Sequence, residues 1–403
     1  MPHPNDVEQK LGFDQIRSKL KSFSLSALGS ARVDEMLFLN DSTKIKHLLQ
    51  QVFEFKQILE RGDAFPSNHY VDPAAFFTRA SLVGNYLDEQ DFLQIAYSLQ
   101  TILTCRDYLV RNQEYYPVLF QLTEPVRVSG AYVKQIHSVI DDAGLVRDSA
   151  STELSRIRRK LREEQGRSRK LIDQVYRQAV AQQWVPEGAL PTIRGGRLVI
   201  PVLAEYKRKL KGFIQDESAT GQTVFMEPAE VLEANNEIRD LEHAERREVI
   251  RILIQLTDKL REEIPQLQLA YRFLGWIDFI RAKAKLALEL QAELPDVVPT
   301  PALRWMNARH PLLYMSLKGK RELVPLTIDL TEADRFLLVS GPNAGGKSVC
   351  LKTVGLLQYM LQCGLLIPVS PDSKAGIFDD LFIDIGDQQS IENDLSTYSS
   401  HLK

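Results

Sequence analysis

Residues 341–348 read GPNAGGKS, and no other stretch restricts the fold as tightly. Gly341, Gly345, Gly346, Lys347 and Ser348 satisfy G-x-x-x-x-G-K-[ST], with Pro342, Asn343 and Ala344 filling the open positions. The glycines let the backbone curl until its N–H groups converge on one point. That geometry needs a strand before the loop and a helix after it, whose positive end faces the same point. The flanks fit: RFLLVS (335–340) is strand-like, and the residues after Lys347 read as a helix. A loop of this kind holds the phosphates of ATP. Lys347 is expected to reach the β- and γ-phosphates, and the Ser348 hydroxyl to ligate Mg²⁺. LVPLTIDL (323–330) and GIFDDLFIDIG (376–386) are also strand-like, so an α/β domain begins near residue 299.

Holding ATP is not hydrolysing it. Hydrolysis needs a second acid at a strand end and a group that positions water. Asp384, ending LFID, is one candidate for the acid, but it comes only 37 residues after Lys347. That spacing leaves little room for the elements such folds place between. Asp379-Asp380 reads as a turn rather than a carboxylate pair.

Upstream the texture is helical. Ile16, Leu20 and Phe23 lie at helical spacing, as do the apolar residues of DEQDFLQIAYSLQTILTCRDYLV (88–110). Near residue 148 a long helix begins, with Leu154, Ile157, Leu161, Val175 and Ala179 on one stripe. A second, from 228 to 264, carries Val249, Leu253, Leu256, Leu260 and Ile264. The insert between them reads as β. PTIRGGRLVIPV has Gly195-Gly196 between strand formers, the chemistry of a tight hairpin, and GFIQDESATGQTVFMEP supplies two more strands. Two helices tipped by a small sheet make an antiparallel arm suited to gripping something elongated.

Net charge is −3, so attraction to a polyanion must come from a local patch. Residues 156–170 hold eight basic residues against two acidic, and the apolar stripe lapses there at Gln165 and Ser168. Arg158, Arg159, Lys160, Arg162, Arg169 and Lys170 are candidates for phosphate contacts, as are Lys207, Arg208, Lys209 and Lys211 in the insert. The alternative is a solvated face laced with pairs such as Arg159–Glu163 and Lys160–Glu164. The polar N-terminus is no secretory signal. The apolar stretch at 354–369 is interrupted by Gln358 and Gln362 and too short to cross a membrane. Cys105, Cys350 and Cys363 lie far apart, without disulfide or zinc spacing. A cytoplasmic, multidomain protein with no membrane contact is expected.

Four stretches converge on one resemblance. GPNAGGKS resembles the nucleotide loop of the MutS family, and NARHPLL (307–313) its Arg-His-Pro tract. Residues 193–228 resemble the clamp of that family's second, Smr-bearing branch. IGDQQSIENDLSTYSSHLK (385–403) is similar to the segment before that branch's magnesium-acid strand. The resemblance covers nearly the whole chain. It implies a mostly α-helical core (1–147), a clamp of two long helices with a β insert (148–265, insert 186–228) and a return of the core (266–298). The first half of an α/β P-loop ATPase domain of the MutS type (299–403) then follows. It implies that Asn343 contacts the γ-phosphate region, that Ser396 faces the nucleotide of a partner subunit in a dimer formed through the ATPase domains, and that His310 leads into the ATP site. The wedge domain that reads mismatches is not expected.

The resemblance further implies an N-terminal piece of a longer protein, short of the magnesium acid, the catalytic glutamate and the Smr nuclease. Such a piece binds ATP and hydrolyses it negligibly. Two functions stay open: an ATP-gated clamp on branched or recombining DNA that suppresses recombination, or a factor acting on stalled or collided ribosomes through rRNA. A structural coiled-coil ATPase is disfavoured, because its arms would be far longer than about forty residues per helix.

Overall fold

The structure, a computed structural model, describes residues 7–62, 64–318, 322–331, 333–342 and 346–384. In chain order the helices are α1 (Val7–Leu11), α2 (Phe13–Phe23), α3 (Ala27–Asp34), α4 (Ser42–Glu60), α5 (Ala74–Ser81), α6 (Glu89–Arg111), α7 (Pro117–Gln121), α8 (Gly130–Val139), α9 (Thr152–Ala181), α10 (Ala229–Leu290), α11 (Pro311–Leu317) and α12 (Lys347–Gln362). Strands β1 (Thr192–Arg194), β2 (Arg197–Leu203), β3 (Gly212–Glu217) and β4 (Thr223–Pro228) form an antiparallel sheet in the order β1-β2-β4-β3. A mixed sheet, ordered β5-β8-β6-β7, contains β5 (Asp296–Val298), β6 (Leu303–Ala308), β7 (Leu326–Leu330) and β8 (Lys374–Gly376). The described residues are thus mostly helical with two small sheets. The chain divides into two compact units, described separately below.

The first unit joins Phe76–Ala96 to Ala131–Glu262. α9 begins where the Ser151 side chain caps it, accepting the N–H of Leu154 at 2.9 Å. Its contacts with α10 run antiparallel. Ser151 donates to Glu248 at 2.6 Å, Arg158 to Glu245 at 2.7 Å, Lys160 pairs with Glu237, and Ser168 donates to Asn235 at 3.2 Å. As α9 ascends, its partners on α10 descend. Ser168 is only 1% exposed, so the lapse in the apolar stripe at this position is a buried polar pair and not an open groove.

At the β1–β2 turn, Arg194 faces Arg197 across Gly195 (φ 56°) and Gly196 (φ 77°), the left-handed pair that a two-residue type I′ hairpin demands. One face of the sheet is apolar: Ile200, Val202, Val224 and Met226 pack with Ile172 and Val175 of α9 and Val231 of α10. Burying each such side chain contributes about 2 kcal/mol. Gly212 permits the β3–β4 approach, since a Cβ there would lie 2.2 Å from the Glu227 carbonyl oxygen. The Glu227 carboxylate is fully buried and accepts from Arg197 (2.7 and 2.8 Å), Gln215 (2.6 Å) and Asn235 (2.8 Å), so its lone pairs are satisfied from β2, β3 and α10.

The second unit joins the described parts of Met1–Ala75 and Glu263–Lys403 to Tyr97–Gly130. The long helix does not stop at 264. α10 runs on through Pro265, whose missing N–H costs one backbone bond. Leu267, Ala270, Tyr271, Leu274 and Ile277 continue the buried stripe beyond it, and that packing outweighs the loss. Asp278 on this stretch organises the start of α3, accepting from Leu25 N–H at 2.8 Å, Ser26 N–H at 2.9 Å and the Ser26 hydroxyl at 2.8 Å.

α12 is anchored at its C-terminal end. The two glutamines that interrupt its apolar run are themselves buried. Gln358 donates to the Gly376 carbonyl at 2.9 Å, and Gln362 donates to Leu39 at 2.6 Å and Phe378 at 2.8 Å. Tyr359 donates to Glu8 at 2.8 Å, and Glu8 is held by Arg17 at 2.7 Å.

Candidate functional site

The loop at 341–348 opens into α12 through Gly346, a left-handed residue (φ 81°) at the N-cap that brings no side-chain cap of its own. A helix of 16 residues therefore begins there with its first N–H groups uncovered by a capping side chain. The Lys347 ammonium folds back over the loop, donating to the carbonyls of Gly341 at 2.5 Å and Pro342 at 2.9 Å. Ser348 is exposed in the first turn. A positive helix end, an ammonium poised above the loop and a hydroxyl beside it suit a phosphate chain with a hydrated divalent cation. Asn343, Ala344, Gly345 and Ser396 lie outside the described residues. So does the whole stretch 385–403.

The expected strand at 335–340 is not formed. β7 is the edge of its sheet, the described residues offer 335–340 no strand to pair with, and Phe336 and Leu338 are 95% and 92% exposed. The expected strand at 376–386 is described as far as Asp384, and of those residues only Gly376 belongs to β8; Asp379 lies in a bend, and Asp384 is exposed. Among the described residues, no group of His, Cys, Asp or Glu is arranged to hold a metal ion.

His310 has a structural task. It is the N-cap of α11, where its Nδ1 accepts the Leu313 N–H at 3.5 Å. Burial, aided by the nearby Lys352 charge, pushes its pKa down to about 4, so the imidazole is neutral near pH 7.

The basic candidates separate into two groups. Arg158 is part-buried and fully engaged, donating to Glu245 (2.7 Å), Asp148 (2.6 Å) and the Val146 carbonyl (2.7 Å). Those bonds hold the Asp148 carboxyl below its usual range. Lys160 pairs with Glu237 rather than with Glu164, Arg162 reaches Asp148 at 3.3 Å, and Arg159 lies 3.9 Å from Glu163. By contrast Arg169, Lys170, Lys207, Arg208, Lys209 and Lys211 are exposed, and no ion pair to them is found among the described residues. Sequence reasoning missed the Glu227 cluster altogether, because its members come from β2, β3, β4 and α10 with no local signature.

No helix among the described residues is long and apolar enough to cross a membrane. Comparison with known proteins adds the family. The MutS domain V family matches residues 337–403. The protein named Endonuclease MutS2 from Enterococcus faecalis is 37% identical over 97% of this chain and 49% of its own length. Its namesake from Symbiobacterium thermophilum is 35% identical over 97% of this chain and 48% of its own, and that from Finegoldia magna 34% over 98% and 49%. The chain spans about half the length of the curated relatives it matches, and it belongs to the MutS family, in the branch of the MutS2 proteins.

Proposed function

We propose that residues 299–403 belong to a P-loop ATPase domain that binds ATP with Mg²⁺ at 341–348, and that nucleotide gates a clamp built from 148–265. The helical core is 1–147 with its return at 266–298. Two subunits pair through their ATPase domains, each nucleotide lying between one loop and the partner subunit's Ser396. The clamp encloses branched or recombining DNA. The observation that carries this reading is the open start of α12 beneath the Lys347 ammonium. Gly341, Pro342, Asn343, Ala344, Gly345 and Gly346 wrap the phosphates, Lys347 neutralises them and Ser348 ligates the cation. Mg²⁺, when bound, screens the charge of the phosphates. The chain's own part is to exchange the Gly341 and Pro342 carbonyls for phosphate oxygens as acceptors of the Lys347 ammonium.

The test is equilibrium binding of a fluorescent ATP analogue in Mg²⁺. Lys347→Ala removes charge-assisted bonds and is expected to weaken binding on the order of tenfold to a hundredfold. Unchanged affinity would remove the loop from the nucleotide site. Branched DNA and collided ribosomes offered together to the protein loaded with non-hydrolysable ATP then test the target. Capture of the ribosome in preference to the junction overturns the DNA reading.

A further inference from the structure

Apart from the buried Glu227 cluster, the face of the insert sheet opposite Val224 and Met226 has no role so far. Register settles which residues share it. Phe213 lies directly opposite Glu227, and Asp216 opposite Phe225. Residues two apart on a strand share a face, so Phe213, Phe225 and Asp216 lie on one side, opposite to Val224 and Met226 in the core. The Arg194 guanidinium reaches the same side, 4.5 Å over the Phe225 ring and 3.6 Å from Asp216. Phe213 is 56% exposed on an edge strand whose every residue is open to solvent.

A basic loop leads straight into this strand. Lys207, Arg208, Lys209 and Lys211 are exposed, with no ion pair to them found among the described residues. The ladder extends back to Lys211, whose carbonyl accepts the Ala229 N–H at 3.0 Å, so Lys211 falls on the Phe213 face. An exposed ring for stacking, a guanidinium over the Phe225 ring on the same side, and a run of cations ending two residues away at Lys211 are the parts with which sheet surfaces hold unpaired bases. A paired duplex would present no base face to Phe213 and would engage the cations alone.

We propose that this face binds a single nucleic-acid strand, stacking an unpaired base on Phe213 while Lys207, Arg208, Lys209 and Lys211 contact its phosphates. The proposal rests on the nucleic-acid reading above and narrows it to unpaired segments, the kind exposed at a junction or in a loop. Deoxyribose and ribose strands share this chemistry, so both are tested.

The experiment is fluorescence anisotropy of the intact chain with a thymidine homopolymer, a uridine homopolymer and a blunt duplex of equal length, across a salt series. Phe213→Ala should weaken binding of at least one homopolymer about tenfold, the scale of a lost base–aromatic stack. It should leave duplex affinity and the salt slope unchanged, while Phe213→Trp retains binding. Lys207→Ala/Lys209→Ala/Lys211→Ala should weaken every probe and flatten the slope. If Phe213→Ala matches the parent on both homopolymers while the lysine variant loses them, the surface reads phosphate only and the stacking site is overturned. Phe213→Ala that abolishes self-association in sedimentation and alters no nucleic-acid affinity makes the face a contact between copies, and overturns it equally. If no probe binds at all, the nucleic-acid reading itself fails. Unchanged circular dichroism in each variant establishes that the sheet is intact.

Discussion

Lys283, buried on α10, donates through its ammonium to the Cys363 carbonyl at 3.1 Å, where α12 ends; the next carbonyl, Gly364, accepts at 3.2 Å. A positive charge thus sits at the negative end of the helix whose other end opens at the loop. The Phe279 ring lies 4.3 Å from the same nitrogen. Among the described residues no carboxylate bonds to it, and burial pushes its pKa down to about 8.

That depression sets a pH test. Between pH 8 and 10.5 the unfolded chain binds more protons at Lys283 than the folded chain does, so this residue's contribution to stability rises with pH. The whole rise amounts to roughly 3 kcal/mol. Other groups contribute there too: the Cys363 thiol, pushed up to about 12 by burial, keeps its proton in the folded chain while the unfolded thiol loses it near its ordinary value. The quantity to measure is therefore the difference in urea unfolding energy between the parent and Lys283→Met. It should move in the parent's favour from pH 7.5 to 9.5. A flat difference would mean that Lys283 keeps its ordinary proton affinity.

Glu227 gives a second test. Its carboxylate draws Arg197, Gln215 and Asn235 onto one point. Glu227→Leu leaves the Arg197 charge without its buried partner and should destabilise the insert by about 3–5 kcal/mol. Glu227→Gln keeps the shape and should cost less. Hydrogen exchange reads this locally: amide protection in β2 and β4 should collapse in the leucine variant. Retained protection would show that the apolar face alone holds the sheet.

The hairpin turn offers a third test, free of packing effects. Nothing lies within 4 Å of a Cβ added at Gly195, so only its left-handed backbone (φ 56°) resists substitution. Gly195→Asn should be nearly neutral, and Gly195→Val should cost about 1–2 kcal/mol. Equal melting temperatures for the two variants would mean that the turn conformation is not held.

These sites also show what the amino-acid sequence discloses. Gly195-Gly196 announces its hairpin because turn chemistry is local, and the stripes of α9 and α10 announce their helices because periodicity is local. Pro265 looks like a stop, yet tertiary packing carries α10 past it. The segment 335–340 has strand chemistry, but a strand also needs a neighbour, and none of the described residues pairs with it. Ser168 looked like a gap in a seam because its partner, Asn235, is on another helix. Lys283 carried no signal either: a lone lysine in a helix reads as solvated until the end of α12 is brought against it. In the candidate site the loop spacing was legible, whereas the neutralisation of Arg158 by Asp148 and Glu245 depends on how the arm closes.

His310 supplies the last test, with the opposite pH range. Its folded pKa of about 4 lies below the ordinary 6.5, so the unfolded chain binds more protons between those values. Its contribution is fully present above pH 6.5 and is lost as pH falls towards 4. At pH 5 the loss is about 2 kcal/mol relative to pH 7. His310→Asn preserves an acceptor at the N-cap of α11 and removes the titration. The stability of the parent relative to this variant should therefore drop between pH 7 and pH 5, measured by urea unfolding in matched ionic strength. A constant difference would mean that the imidazole takes up its proton in the folded state, beside Lys352, and the cap at Leu313 would then have to come from another acceptor.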